Sequence, residues 1–311
     1  MSAGLAERLR LLQRQAGKST PLPGPLPQEE REQNKAPLPS GERGWGEGAA
    51  CSPGPSRPEV PESIRRLLGL RTRGTSATVL RLPADRHVPG EEIAPGLHYL
   101  ESRHEAPPLA GTLDCSFARD FGEVAADAVL AFDTETTGLA GGTGTRAFMV
   151  GAADLHQGGL RIRQLLTTTM AAEPAMLEVF SGWLEPTTVL VSYNGRSYDA
   201  PLLKTRYRLA RMGCPITPLA HLDLLHPSRR RWRGRWENCR LATIERQVLG
   251  VLREDDLPGS EAPRAWRDYL AGGPATNLRR VLQHNHTDVR SLMHLLAVLC
   301  GRDFSPDHSQ G

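Results

Sequence analysis

The clearest pattern of apolar and polar positions begins at residue 128. Residues 128–132 form an apolar run too short for a helix, which predicts a buried strand; residues 146–154 and 160–167 predict two more, set off by Gly-rich and His-Gln-Gly-Gly turns. Three strands in succession read as a meander. Residues 174–184 follow with Met176, Leu177, Phe180 and Leu184 at helical spacing, then a β-branched strand over 188–193 and a helix over 199–212 with Asp199 at its cap and Pro201 in its first turn. Helices over 240–249 and 277–300 complete the pattern. Strand, strand, strand, helix, strand, helix with trailing helices predicts an α/β fold with a mixed sheet flanked by helices.

The N-terminal part reads differently. Leu5, Leu9 and Leu12 suggest a short amphipathic helix over 1–17, interrupted by charges that a secretory signal lacks. Prolines recur through residues 18–62 among Gly, Glu, Arg and Ser, a composition that buries too little apolar surface to offset its ordering entropy, so a disordered linker is expected. The helix and this proline-rich arm are candidate contacts for a protein partner. Residues 63–124 carry weak signals and are assigned to an N-terminal extension of the domain over 125–300; residues 301–311 are expected to form a disordered tail.

Composition narrows the classes. With 38 Lys+Arg against 35 Asp+Glu the net charge is +3, so any footprint for a polyanion must be local. Five dispersed cysteines without a Cys-x-x-Cys pair disfavour a disulfide framework or a thiolate zinc finger and favour a reducing cytoplasm. No apolar run approaches the roughly 20 residues that span a bilayer, so no membrane partner is expected.

Three constellations carry candidate chemistry. Asp133 and Glu135 end the first strand and project to the same side, with Thr134 opposite. Two such carboxylates repel unless a cation lies between them, and a divalent metal is the natural occupant, although a solvated acidic turn has the same sequence. Ser192-Tyr193-Asn194-Gly195-Arg196-Ser197-Tyr198-Asp199 lies at a strand-to-helix junction, where ligands gather in open α/β sheets; Asp199 is equally suited to capping the helix. In the last helix His284 and Asp288 share a face while His286 points elsewhere. Between the second and third constellations, Arg229, Arg230, Arg231, Arg233 and Arg235 interleave with Trp232 and Trp236. Guanidinium forks match phosphate and indole faces stack on unpaired bases, so this run, with Asn194, is the candidate nucleic-acid contact; Arg196, Lys204, Arg206 and Arg208 are further candidates for phosphate.

Taken in order, Asp-x-Glu on the first strand, Asn-Gly-x-x-Tyr-Asp at the later junction and His-x-x-x-Asp on the final helix resemble the ribonuclease H-like 3'-5' exonucleases of the DEDD group. The run from Asp133 to Leu139 fits that group's first motif. The Gly-rich continuation from Gly141 to Phe148 and the segment from Arg253 to Gly259 are similar to its bacterial YprB-like branch, a resemblance that covers about residues 90–300. It implies a ribonuclease H-like fold and two divalent cations, Mg²⁺ or Mn²⁺, held by Asp133, Glu135, Asp199 and Asp288. It also implies hydrolysis of phosphodiester bonds in DNA or RNA, with a single-stranded or 3' end favoured. Within it, Asp133 would bridge both ions, Glu135 and Asp288 would favour the ion carrying the water, and Asp199 the other. His284 stands at the spacing of the tyrosine-type subgroup and is expected to orient or deprotonate water. The alternative is a nucleic-acid-binding module of the same fold with little catalysis. A sugar-kinase-like phosphate turn is disfavoured by Glu135, and a P-loop by the lack of Gly-Lys-Ser/Thr after the glycines.

Overall fold

The computed structural model describes residues 84–138, 143–253 and 257–302. The predicted helix over 1–17, the proline-rich linker over 18–62 and all but the first two residues of the predicted tail lie outside them. So do Leu139, Ala140, Gly141 and Gly142 of the glycine-rich run, and Glu254, Asp255 and Asp256.

A seven-stranded mixed sheet organises these residues. In chain order its strands are β1 (Glu91–Ala94), β2 (Leu97–Glu105), β5 (Val129–Thr136), β6 (Ala147–His156), β7 (Gly159–Thr167), β8 (Val189–Ser192) and β9 (Ala220–Asp223); β3 (Thr112–Asp114) and β4 (Glu123–Ala125) form a separate hairpin. The spatial order is β1-β2-β7-β6-β5-β8-β9. The predicted meander is β5-β6-β7, all antiparallel, and β8 joins β5 in parallel. Three strands of the sheet were not predicted. β1 and β2 come from the weakly patterned stretch before residue 125, with β2 paired to β7 along all nine of its residues; β9 adds four residues parallel to β8.

The helices are α1 (Glu173–Ser181), α2 (Asp199–Leu209), α3 (Leu225–Trp232), α4 (Leu241–Ile244), α5 (Ala262–Leu270) and α6 (Thr276–Leu299). The helix expected over 240–249 is divided: α4 passes into a π turn, Glu245–Leu249, closed by Gly250 at φ 67°. The arginine run begins as helix α3.

The central strand explains why the sheet holds together. On β5, Val129 and Ala131 pack against Val289, Leu292 and Leu296 of α6, while Leu130 and Phe132 pack on the other side against Leu177 and Phe180 of α1 and Leu203 of α2. Burial on both faces is why this strand reads as a continuous apolar run and not as an alternating one. A third cluster joins α5 to the first half of α6 beneath Phe148 and Leu166, with Trp266 stacked on Phe148 at 5.2 Å between ring centroids. The carboxyl ends of β5 and β8 therefore open between α6 and α2, where a crevice at the turn of strand order is expected.

Candidate active site

The period of the strand delivers the first acids. On β5, Asp133 and Glu135 continue the face of Val129 and Ala131 toward α6, and Thr134 continues the face of Leu130 and Phe132 toward α2. Glu135 is 8% exposed. Helix α2 begins at Asp199 itself, Tyr198 is the cap residue and no side chain caps the helix. The expectation that Asp199 caps α2 is thus corrected: its carboxylate accepts a hydrogen bond from the Thr134 hydroxyl. The loop before it is set by Asp223 of β9, which accepts from the backbone N–H of Asn194 (2.7 Å), Arg196 (3.1 Å) and Leu225 (3.0 Å). These bonds hold Asn194 at φ 70°. Gly195 follows with no space for a side chain, since a Cβ there would lie 2.5 Å from Ser192 Oγ and 3.1 Å from Asp199 Oδ2.

Helix α6 supplies the third side of the site. Its apolar stripe of Leu278, Val281, Leu282, Val289 and Leu292 is broken at one turn by Asn285, which is fully buried. Asn285 donates to Asp133 Oδ2 at 3.0 Å, and Gln164 of β7 donates to Asn285 Oδ1 at 2.9 Å and to the Leu282 carbonyl at 2.8 Å. Gly151 makes room: a Cβ would lie 2.0 Å from Asn285 Oδ1. His284, the residue before Asn285, and Asp288, one turn after His284, stand together, with Nε2 to Oδ2 at 3.6 Å. His286 points away, to Ser102 and His104 of β2.

The electrostatics bind the three segments into one unit. Burial, and next the charges of Asp288, Asp199 and Glu135, push the Asp133 carboxyl well above the usual carboxylate range, against the bond from Asn285. Burial likewise raises Asp199 to about 6, opposed by the Thr134 hydroxyl and backbone N–H bonds. A cation already stands at one edge. Arg253 makes two bonds to Glu245 Oε1 and Oε2 (2.6 and 2.7 Å), donates to Asp288 and lies 3.0 Å from His284 Nδ1. Glu245 is 0% exposed; burial pushes its carboxyl up and the two bonds from Arg253 hold it back. Among the described residues, no three His, Cys, Asp or Glu side chains stand in ligand geometry around a common point.

The structure thus gathers Asp133, Glu135, Asp199, Asp288 and His284. It adds Asn285, Asp223, Gln164 and Glu245, which the sequence reading missed, and Arg253, which that reading held only as the first residue of a family-like segment, with no role in the site. A polar residue in the apolar stripe of α6 was the available sign for Asn285; the others depend on tertiary pairing that no local pattern carries.

The arginine and tryptophan run is corrected in part. Trp232 is 6% exposed and packs into the core beside Trp236, at 6.2 Å between rings, with Arg231 across its outer face, so its indole cannot stack on a base. Trp236 is half-buried. Arg230 and Arg231 donate to the carbonyls of Phe117 and Val298. Arg229, Arg230 and Arg233 line a cavity of about 410 Å³ with His226, and an adjoining one of about 220 Å³ is lined by Arg119, Arg196 and Arg230. Arg206 does not face solvent: it is buried and makes two 2.6 Å bonds to Glu173.

The family-model match agrees with the fold. The family model RNase_H_2, of the RNase_H superfamily, matches residues 130–300. The chain is 36% identical over 179 residues to the uncharacterized protein YprB of Bacillus subtilis (strain 168), over 57% of this chain and 43% of that protein, so it spans less than half of that relative's length. Among solved structures it is similar to the family B DNA polymerase of the archaeon Pyrobaculum calidifontis, at TM-score 0.45 and 16% identity over 55% of this chain and 24% of that one. It is similar also to the E. coli ExoI-ssDNA complex in its zinc-bound form, at TM-score 0.33 and 14% identity over 50% and 42% of the two chains.

Proposed function

The chain belongs to the RNase H superfamily, and from that membership and the acids at the mouth of its sheet we propose that it is a metal-dependent nuclease, a 3'-5' exonuclease hydrolysing phosphodiester bonds of DNA or RNA. One observation carries the reading: Asp133, at the end of the central strand, lies in the field of Glu135, Asp199 and Asp288, carboxylates from three separate segments. Partly desolvated acids that repel one another are costly unless cations or protons compensate them. The donor set is oxygen only, which suits Mg²⁺ or Mn²⁺ better than zinc. Two such ions when bound activate a water and stabilise the leaving oxygen of an in-line displacement.

The residues would share the work as follows. Asp133, Glu135, Asp199 and Asp288 hold the ions, and Asn285, backed by Gln164, fixes the Asp133 carboxylate. His284 positions the water or a phosphate oxygen. Arg229, Arg233 and Arg235, with Arg196 and Arg119, take the phosphates of a single strand, whereas Trp232 takes no part in base stacking. Four free thiols among the described residues accord with a cytoplasmic setting. No helix of the described residues is long and apolar enough to cross a membrane.

A second reading, strand binding without cleavage, is favoured by one contact: the bond from Arg253 to Asp288 neutralises an acid that an ion would need. End-labelled single-stranded DNA and RNA incubated with Mn²⁺, Mg²⁺ or EDTA separate the two. Metal-dependent shortening from the 3' end, reduced about 10³-fold or more in Asp133→Ala, is the expected result. Retained strand binding with no cleavage, or equal cleavage by the variant, establishes the binding module instead.

A further inference from the structure

A guanidinium carries five N–H donors and no acceptor. Where Arg253 Nη1 stands 3.0 Å from His284 Nδ1, the ring nitrogen is therefore the acceptor, and a neutral imidazole must carry its proton on Nε2. Nε2 is the atom that faces the site, 3.6 Å from Asp288 Oδ2. Arg253 is not a passing partner: two bonds to the buried Glu245 fix its plane, and its remaining edge reaches Asp288 and His284 together. The histidine thus meets the crevice with an N–H and not with a lone pair.

We propose that Arg253 is a positioning residue that fixes His284 as the Nε2–H tautomer, so that His284 serves the site as a hydrogen-bond donor to a phosphate or water oxygen and not as a proton acceptor. The role in the site rests on the nuclease reading; the tautomer does not. This replaces the expectation that His284 deprotonates water. Arg253 acts only through its neighbours: anchored by Glu245, it holds one oxygen of Asp288 and one nitrogen of His284, whose Nε2 then faces the second oxygen of Asp288 at 3.6 Å.

Two measurements on the full chain test it. In the long-range ¹H–¹⁵N spectrum of imidazole-labelled protein, at a pH well above the ordinary imidazole range, His284 should show a protonated Nε2 and an unprotonated Nδ1, its signals assigned by their loss in His284→Gln. Arg253→Gln should move them to the averaged positions of exchanging tautomers, and Arg253→Lys, which still donates, should restore the pattern in part. Should Arg253→Gln fail to fold because Glu245 is left buried, the double variant Glu245→Gln/Arg253→Gln serves in its place. An Nδ1–H tautomer in the unaltered protein, or signals that Arg253→Gln leaves in place, overturns the proposal. In the Mn²⁺ cleavage assay, His284→Gln, which keeps a donor, should exceed His284→Ala by roughly tenfold, the worth of one neutral hydrogen bond. Equal loss in both variants overturns the donor role. If the unaltered protein cleaves nothing, the nuclease reading fails while the spectrum still decides the tautomer.

Discussion

Two of the arginine clusters among the described residues, those of Arg206 and Arg253, differ in one respect. Arg206 of α2 meets Glu173 of α1 through two 2.6 Å bonds, Arg146 adds a third at 2.8 Å, and the spare edge of Arg206 donates to the Thr143 carbonyl. All three nitrogens of Arg206 and both oxygens of Glu173 are spent inside the protein, and the cluster ties two helices to the loop after β5. Arg253 meets Glu245 in the same two-pronged way, but its spare edge goes to Asp288 and His284, which open on the crevice. The same chemistry serves as a rivet in one place and as a mounting for reactive groups in the other. What decides is whether the third partner is a backbone carbonyl or a titratable side chain.

The first way to break this comparison is to remove the anchoring carboxylates. Glu173→Gln leaves Arg206 charged and buried with no counterion, and should cost about 3–5 kcal/mol in denaturant unfolding. A loss below about 1 kcal/mol would mean that water reaches Arg206 and that the cluster is not a rivet. The acids of the crevice give the next effect. Asp199 has a hydroxyl and not an arginine for a partner, and its value of about 6 lies above the ordinary 3.8. The folded state therefore binds that proton more tightly than the unfolded state does. Stability from this group is complete below about pH 4 and is lost as pH rises through about 6, up to roughly 3 kcal/mol. Unfolding measured in EDTA across that window should show the fall, and Mn²⁺ should restore stability at the upper end; a flat profile in EDTA would place Asp199 in water. Smaller again is Glu245→Gln. Arg253 keeps Asp288 as a counterion, so the cost should be about 1–3 kcal/mol, below that of Glu173→Gln. A cost equal to or above that of Glu173→Gln would show that Asp288 contributes nothing to holding Arg253.

The same contrast explains what the sequence made legible. The meander, α1, β8, α2 and α6 were readable because their periods are imposed by burial: β5 lies between two cores, and α6 keeps one apolar stripe through 24 residues. Those periods also placed Asp133, Glu135, His284 and Asp288, since spacing on a strand or helix fixes which side chains share a face. β2 was not readable: beyond Leu97 no side chain is fully buried, three half-buried residues run in succession and only the second half alternates, so its stability lies in the ladder with β7 and not in its own pattern. Nor was Asp223, whose work is to accept backbone N–H bonds from Asn194 and Arg196, 29 and 27 residues earlier in the chain, by way of the parallel register of β9 with β8. Glu245 opens a π turn whose extra residue no helical template predicts, and Arg253 lies beyond its end.

The arginine run sharpens the comparison from outside the core. Counting arginines in the sequence suggested one interface, yet the helical period of α3 divides them. Trp232 turns inward under Arg231, Arg230 is spent on the Phe117 carbonyl, and Arg229 and Arg233 face the 410 Å³ cavity. Phosphate contact without base stacking should then give affinity that falls with salt and hardly depends on sequence. Replacing Arg229 and Arg233 together by Gln should lower the slope of log K against log salt by about 1.4 on a single strand, with fold stability unchanged within roughly 0.5 kcal/mol. Trp232→Phe, which keeps most of the buried volume, should leave that slope where it was. An unchanged slope in the arginine pair, or a lowered one in Trp232→Phe, would return the interface to the tryptophans and deny α3 its division into an inner and an outer face.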